Sequence, residues 1–246
     1  VRRHLFFAIV AAVFLISSGL LYLAHYAIFR DTHHIYIYLV GDLAFLPLEV
    51  FLVGLVIDRL LHQREKQALL RKLNIVVGAF FSEVGNHLLA ELVSYSERSA
   101  EIKERFRVTT RWGPGEFKRA RVLAHAAGLQ SRVDAASLDP LKALLGAKRP
   151  FMLALMENPN LLEHEGFTDM LLAVFHLDEE LEARRSLGGL PESDLKHIAG
   201  DIERAFSRLI TEWLSYVEHL KAEYPFLFSL VVRTHPLQDQ PAAVVA

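Results

Sequence analysis

The pattern of apolar positions changes character twice along the chain. Residues 5–29 form a nearly unbroken apolar run in which His25 is the only basic or acidic side chain. Ile35–Leu61, IYIYLVGDLAFLPLEVFLVGLVIDRLL, forms a second, with Asp42 and Glu49 in its interior. Each run is long enough to cross a hydrocarbon core of about 30 Å as a helix. From residue 69 the pattern becomes periodic: Leu69, Leu73, Val76, Phe80, Val84, Leu88 and Leu92 recur every three or four residues, which predicts an amphipathic helix to residue 106. Val77, Phe81 and Leu89 widen its apolar stripe, so burial among other helices is expected rather than a free rod. Gly78 and Gly85 suit close approach of another backbone.

Turn signals divide the remainder. Trp112-Gly113-Pro114-Gly115 opens a helix over 115–127, and Asp139-Pro140 a short one that Pro150 interrupts or restarts. Asn158-Pro159 precedes a helix over 160–186, Gly188-Gly189 ends it, and Pro191 starts the last long helix, to Glu223. In the 160–186 helix, Phe167, Met170, Leu171, Val174 and Leu181 share a side, with Glu165, Asp169, His176 and Glu180 opposite. In the last, Leu195, Ile198, Ile202, Phe206, Leu209, Trp213, Val217 and Leu220 form a stripe with His197, Asp201, Arg204 and Arg208 behind it. Such faces suit an antiparallel bundle. The apolar segment 224–232 is expected to dock on the bundle or against the membrane surface, with the bundle the preferred reading.

With no period-two run and no repeat, the expected fold is all-α. The domains are a two-helix transmembrane hairpin (1–61), a juxtamembrane linker helix (62–107), a cytoplasmic helical bundle (108–235) and a disordered tail (236–246). Residues 30–34 are too short to be a domain, so the spans form a hairpin. Arg2 and Arg3 precede the first span, but its apolar region is about twice a signal peptide's usual length, so it reads as a membrane span. Arg2, Arg3, Arg59, Arg64, Lys66, Arg71 and Lys72 lie on one side and Arg30 on the other, which predicts both termini in the cytoplasm. Tyr22, Tyr26, Tyr36 and Tyr38 mark the opposite interface. Arg59, Arg64, Lys66, Arg71 and Lys72 are the expected contacts with anionic lipid, at about 1 kcal/mol each.

Charge and composition then narrow the function. A net charge of -2 argues against a chain committed to nucleic acid, and zero cysteines exclude disulfides, thiolate metal sites and cysteine nucleophiles. Asp42 and Glu49 are seven residues apart, two helical turns, so they share a face, and an acid at mid-span costs about 2.5–3.5 kcal/mol without a partner. Pro47 frees a backbone carbonyl at similar depth. Asp42, Pro47 and Glu49 are therefore either an ion path or a polar contact that specifies helix packing, and packing is the preferred reading.

Carboxylates and histidines are dense from 163 to 201, and Asp194/His197 has the spacing used by metal-binding bundles. His164, Glu165, Asp169, His176, Asp194 and His197 are the candidate metal ligands, although His176 and His197 fall opposite the apolar stripes, where a solvated surface is the simpler expectation. Arg119 and His125 match the loose spacing of helical ribonucleases, a pattern common by chance. Residues 98–121 are rich in basic side chains, whereas 157–182 contain no Lys or Arg, so the two could pair. No catalytic motif is present and no cofactor is expected.

The runs ENPNLLEHEGFTDMLLAVFHLDEEL (157–181) and EWLSYVEHLKAEYPFLFSLVVRT (212–234), with FLPLEVFLVGLVIDRLL and VVGAFFSEVG upstream, resemble an uncharacterised bacterial inner-membrane family. The resemblance implies two N-terminal transmembrane helices and a cytoplasmic helical domain, and no activity. The expected protein anchors an oligomerisation or protein-interaction domain to the membrane, with lipid, a second copy of itself and a cytoplasmic protein as partners. A homo-oligomeric channel using Glu49 and Asp42 is the alternative, and a helical metalloprotein comes third.

Overall fold

The structure, a computed structural model, describes residues 2–126, 129, 131–133, 137–238 and 241; the side chains of 2–5, 8, 65–72, 126 and 162 lie outside that description. It is all-α among the described residues, with one isolated β-bridge, Ser96 to Ser131. The chain divides into two compact units, Val1–Lys66 and Gln67–Ala246.

The first unit holds α1 (Arg2–Phe29) and the start of α2 (Thr32–Phe80), which remains helical through Pro47. The connection is tight because each end is capped locally. Arg30 takes a left-handed φ of 48° and donates its N–H to the Tyr26 carbonyl at 2.8 Å. Asp31 Oδ1 then accepts from the amides of His33 (2.9 Å) and His34 (3.3 Å) at the start of α2. The spans Ile9–Phe29 and Thr32–Arg64 are long and apolar enough to cross a membrane, and none of either window is buried within the chain.

The second unit begins within α2. The periodic residues Leu73, Val77, Phe80, Phe81, Val84, Leu88, Leu89 and Leu92 are all buried in the same core as the later helices. A third apolar window, Leu73–Ser94, is 44% buried, which accounts for its hydropathy as core. Residues 73–106 are thus part of the domain rather than a separate linker. Nor is the helix unbroken to 106: a π-helical turn at Phe81–Gly85 separates α2 from α3 (Asn86–Ser94), and α4 (Ser99–Phe106) follows a turn. Ser96 Oγ donates to Leu129 O at 2.5 Å and Tyr95 Oη to Ser137 O at 2.6 Å, tying that turn to the segment before α6.

Next come α5 (Pro114–Ala126), α6 (Leu138–Met156), a 3₁₀ turn (Pro159–Glu163), α7 (Glu165–Ala183), α8 (Glu192–Glu223) and α9 (Pro225–Thr234). Helix α6 runs through Pro150 without interruption. Asn158 caps the 3₁₀ turn, not α7, accepting from the Asn160 amide at 3.1 Å. Helix α7 stops at Ala183 because Arg184 turns extended, its guanidinium held by Glu180 and Asp194.

The stripe on α8 from Ile198 to Leu220 is buried and packs against α5, α7 and α9. Acidic Glu192 and Asp194 in its first turn and Lys221 in its last complement the helix dipole. Lys221 also donates to the carbonyls of Thr110, at 2.8 Å, and Trp112. Helix α9 docks on the bundle through Phe228 and Val232 while Phe226 stays 71% exposed. Beyond it, Leu237 is fully buried and Gln238 Nε2 donates to Val232 O at 2.6 Å, so the expected disordered tail does not begin at 236; residues 239, 240 and 242–246 lie outside the described residues.

Candidate functional site

Two places gather polar side chains. In the first unit, helical spacing puts Ser18, Leu21, Tyr22 and His25 on one face of α1 and Ile35, Tyr38 and Asp42 on one face of α2. Together they line a cavity of about 460 Å³. At its end near the connection, the His25 and His34 rings stack with centroids 6.0 Å apart and an angle of 10°, and His34 meets Tyr38 at 4.7 Å. Asp42 therefore lines the same cavity as Ser18 and His25. Glu49 is exposed and neither it nor Pro47 lines the cavity. Arg59 and Arg64 are exposed; the side chains of Lys66, Arg71 and Lys72 lie outside the described residues.

The second place lies between α7 and α8. His176 and Glu180 are one turn apart on α7, and His197 and Asp201 one turn apart on α8, so each helix projects a histidine and a carboxylate from one flank. The two flanks meet. His176 Nε2 is 3.9 Å from Glu180 Oε1 and 3.6 Å from Asp201 Oδ1; His197 Nε2 is 3.6 Å from Glu180 Oε2 and 3.5 Å from Asp201 Oδ2. Arginines also hold both carboxylates. Arg204 donates to Asp201 Oδ1 at 2.6 Å, and Arg184 bridges Glu180 (2.8 Å) and Asp194 (2.6 Å). The Arg184 hydrogen bonds keep the Glu180 and Asp194 carboxyls below the usual carboxylate range.

The proposed metal set is thus revised. Only His176 and His197 of the six converge, and Glu180 and Asp201 complete the group. Asp194 is spent on Arg184, Asp169 pairs with Arg208 at 3.2 Å, and Glu165 is exposed in the first turn of α7. His164 is the N-cap of α7, its Nδ1 accepting from Phe167 N at 3.2 Å; twelve residues along the helix from His176, it is about 18 Å away. Viewing each helix as two faces hid this arrangement. His176 and Asp201 sit on flanks, where the polar border of one helix abuts that of its neighbour.

Sequence reasoning missed a buried acid. Glu212 on α8 has a side chain only 12% exposed, 4.0 Å from His164 Nδ1. Burial pushes its pKa up to about 7, with Asp169 adding to the rise and Arg121 and Arg208 opposing it. Burial also depresses His164. A glutamate at a core-edge position of a polar helix face carries no distinguishing spacing. Arg119 is taken by Glu116 at 2.5 Å and His125 is exposed on the same helix, with nothing bringing them together. Within the charged segments, Arg98, Arg105 and Arg107 each pair with a glutamate three or four residues away, while Asp178 takes Arg149 of α6.

These features define an all-α protein with two N-terminal helices apolar and long enough to span a membrane, followed by a helical domain. Family models agree with both parts: MJ1433, N-terminal helical domain, matches residues 3–61, and Uncharacterized protein MJ1433, C-terminal helical domain, matches 69–233. Uncharacterized protein MJ1433 of Methanocaldococcus jannaschii is 40% identical over 239 residues, 97% of this chain and 95% of the relative. The chain belongs to the MJ1433 family. No solved structure matches it. The relative is archaeal, which conflicts with the bacterial setting that the resemblance implied.

Proposed function

We propose that the protein is a membrane-anchored helical module that self-associates, with α1 and the first part of α2 in the bilayer and the unit from Gln67 onward as an interaction domain. The observation that carries this is the exposure of both apolar helices: Phe14 is 73% exposed, Leu15 74% and Phe51 60%, and among the described residues neither membrane-length window is buried. Apolar surface on that scale needs lipid or other copies. Glu49 on a lipid-length helix needs a partner as well, which favours association of hairpins. The basic residues flanking the second span orient both ends toward the cytoplasm. Expression, carbonate extraction and mass measurement in nanodiscs test the reading. Retention in the extracted membrane with more than one chain per particle is expected; release into the soluble fraction defeats it.

The second reading, an ion-conducting assembly, is favoured by the cavity that Asp42 lines with Ser18 and His25. Liposome flux with Asp42→Asn and Glu49→Gln separates the two. A parent that conducts, with at least a tenfold loss in either variant, supports conduction; a parent with no flux leaves the anchor.

A further inference from the structure

We propose that His176, Glu180, His197 and Asp201 bind a first-row transition-metal dication, bridging α7 to α8. The four side chains alternate imidazole and carboxylate, and every nearest imidazole–carboxylate separation lies between 3.5 and 3.9 Å. Ligand atoms around a tetrahedral ion with bonds of about 2.0 Å stand about 3.3 Å apart, so the imidazole–carboxylate separations are near what an ion needs, and closing the site on all four side chains takes side-chain rotation. One donor atom each from His176, Glu180 and Asp201 already fits within 4.8 Å. His197 lies outside that set, but its Nε2 is 3.6 Å from Glu180 Oε2 and 3.5 Å from Asp201 Oδ2, so rotation of its half-exposed ring would bring it in as the fourth ligand.

An ordinary surface network leaves one atom unexplained. Asp201 is 2% exposed, Arg204 satisfies its Oδ1, and its buried Oδ2 accepts no hydrogen bond, with only His197 Nε2 near it at 3.5 Å. An unsatisfied buried carboxylate oxygen is costly, and a cation is the partner that suits it. Charge points the same way, since Glu180, Asp201 and Asp194 outnumber Arg184 and Arg204. The guanidiniums hold Glu180 Oε2 and Asp201 Oδ1, which leaves Oε1 and Oδ2 for an ion, and they orient the carboxylates as hydrogen-bonding partners do around metal sites. Two nitrogens and two carboxylate oxygens suit zinc, iron(II), cobalt(II) or manganese(II) and disfavour magnesium and calcium. Both histidines are about half exposed, 46% and 54%, so an ion can enter from solvent without the helices parting.

The test uses the full chain in detergent, stripped with chelator and titrated with zinc and with cobalt(II). One ion per chain is expected, with visible cobalt absorption characteristic of a four-coordinate nitrogen and oxygen site, and a higher melting temperature by mass action. His176→Gln and His197→Gln, at exposed positions that keep the helices intact by circular dichroism, should each weaken binding at least tenfold and bleach the cobalt spectrum. Absence of stoichiometric metal in the parent overturns the proposal. So does a His176→Gln/His197→Gln double variant that binds as tightly as the parent, since the ion would then sit elsewhere, for example on His33 and His34.

Discussion

At the scale of single residues, Glu212 carries a pH dependence of its own. Its carboxyl is packed against the first turn of α7, so closely that a Cβ on Gly166 would lie 2.2 Å from Oε1. In the unfolded chain this carboxyl titrates near 4.5, in the folded domain at about 7. Between those values the unfolded chain has released a proton that the folded one retains, so stability falls as pH rises through that window. Glu212→Gln removes the effect. It should raise stability at pH 8 by about 2–4 kcal/mol and leave it nearly unchanged at pH 4, as read by urea denaturation of both proteins across that range. An equal gain at both pH values would show that the benefit is packing and not charge. The same scale explains what was illegible beforehand. The histidines of the α7–α8 cluster stood out by residue type, but nothing in its spacing sets Asp201 apart from the other acids on α8, and its burial arises only when the helices pack.

The π-helical turn shows how an element can depend on one position. Apolar spacing alone makes 69–106 one helix, since periodicity registers which face is apolar and not whether one extra residue is accommodated in a turn. Phe80 and Phe81 are both buried, with Phe80 edge-on to Phe167 at 5.4 Å and Phe81 stacked on Tyr216 at 5.3 Å. Adjacent residues on a regular helix point about 100° apart, so burying two neighbouring rings in one core suits a widened turn. Gly85 makes room for it: a Cβ there would stand 2.4 Å from the Phe81 ring and 3.0 Å from that of Phe80. Gly85→Ala gains up to about 1 kcal/mol of helix propensity and meets an overpacking cost of about 1–3 kcal/mol. A net loss of stability is therefore expected in thermal unfolding, whereas Gly54→Ala, with nothing within 4 Å, keeps the propensity gain without the clash and should not lower the melting temperature. Proline was misleading at this scale too. Pro150 lies inside α6 because Leu141, Leu145 and Met152 on either side of it are buried in the core, and tertiary burial offsets the lost hydrogen bond.

For the whole molecule, the division at Lys66 and Gln67 has a direct consequence. A chain starting at residue 67 should unfold cooperatively, while one starting at 108 should not fold. The second lacks Phe80, Phe81, Leu88, Leu89 and Leu92, each fully or nearly fully buried and worth about 1.5–3 kcal/mol. Together they exceed much of the 5–15 kcal/mol a domain ordinarily has. Circular dichroism melting of the two fragments checks this; a sharp transition in the shorter one would return residues 67–107 to the status of linker.

The all-α class, the two lipid-length helices and the apolar stripes of α7 and α8 were determined by sequence alone, because length, hydropathy and a period of 3.6 residues are local properties. The π-helical turn, the buried carboxyl of Glu212 and the meeting of His176 and Glu180 with His197 and Asp201 were decided only by tertiary structure. Each depends on which flank of one helix faces which flank of another, and that rotation follows from packing the whole core at once.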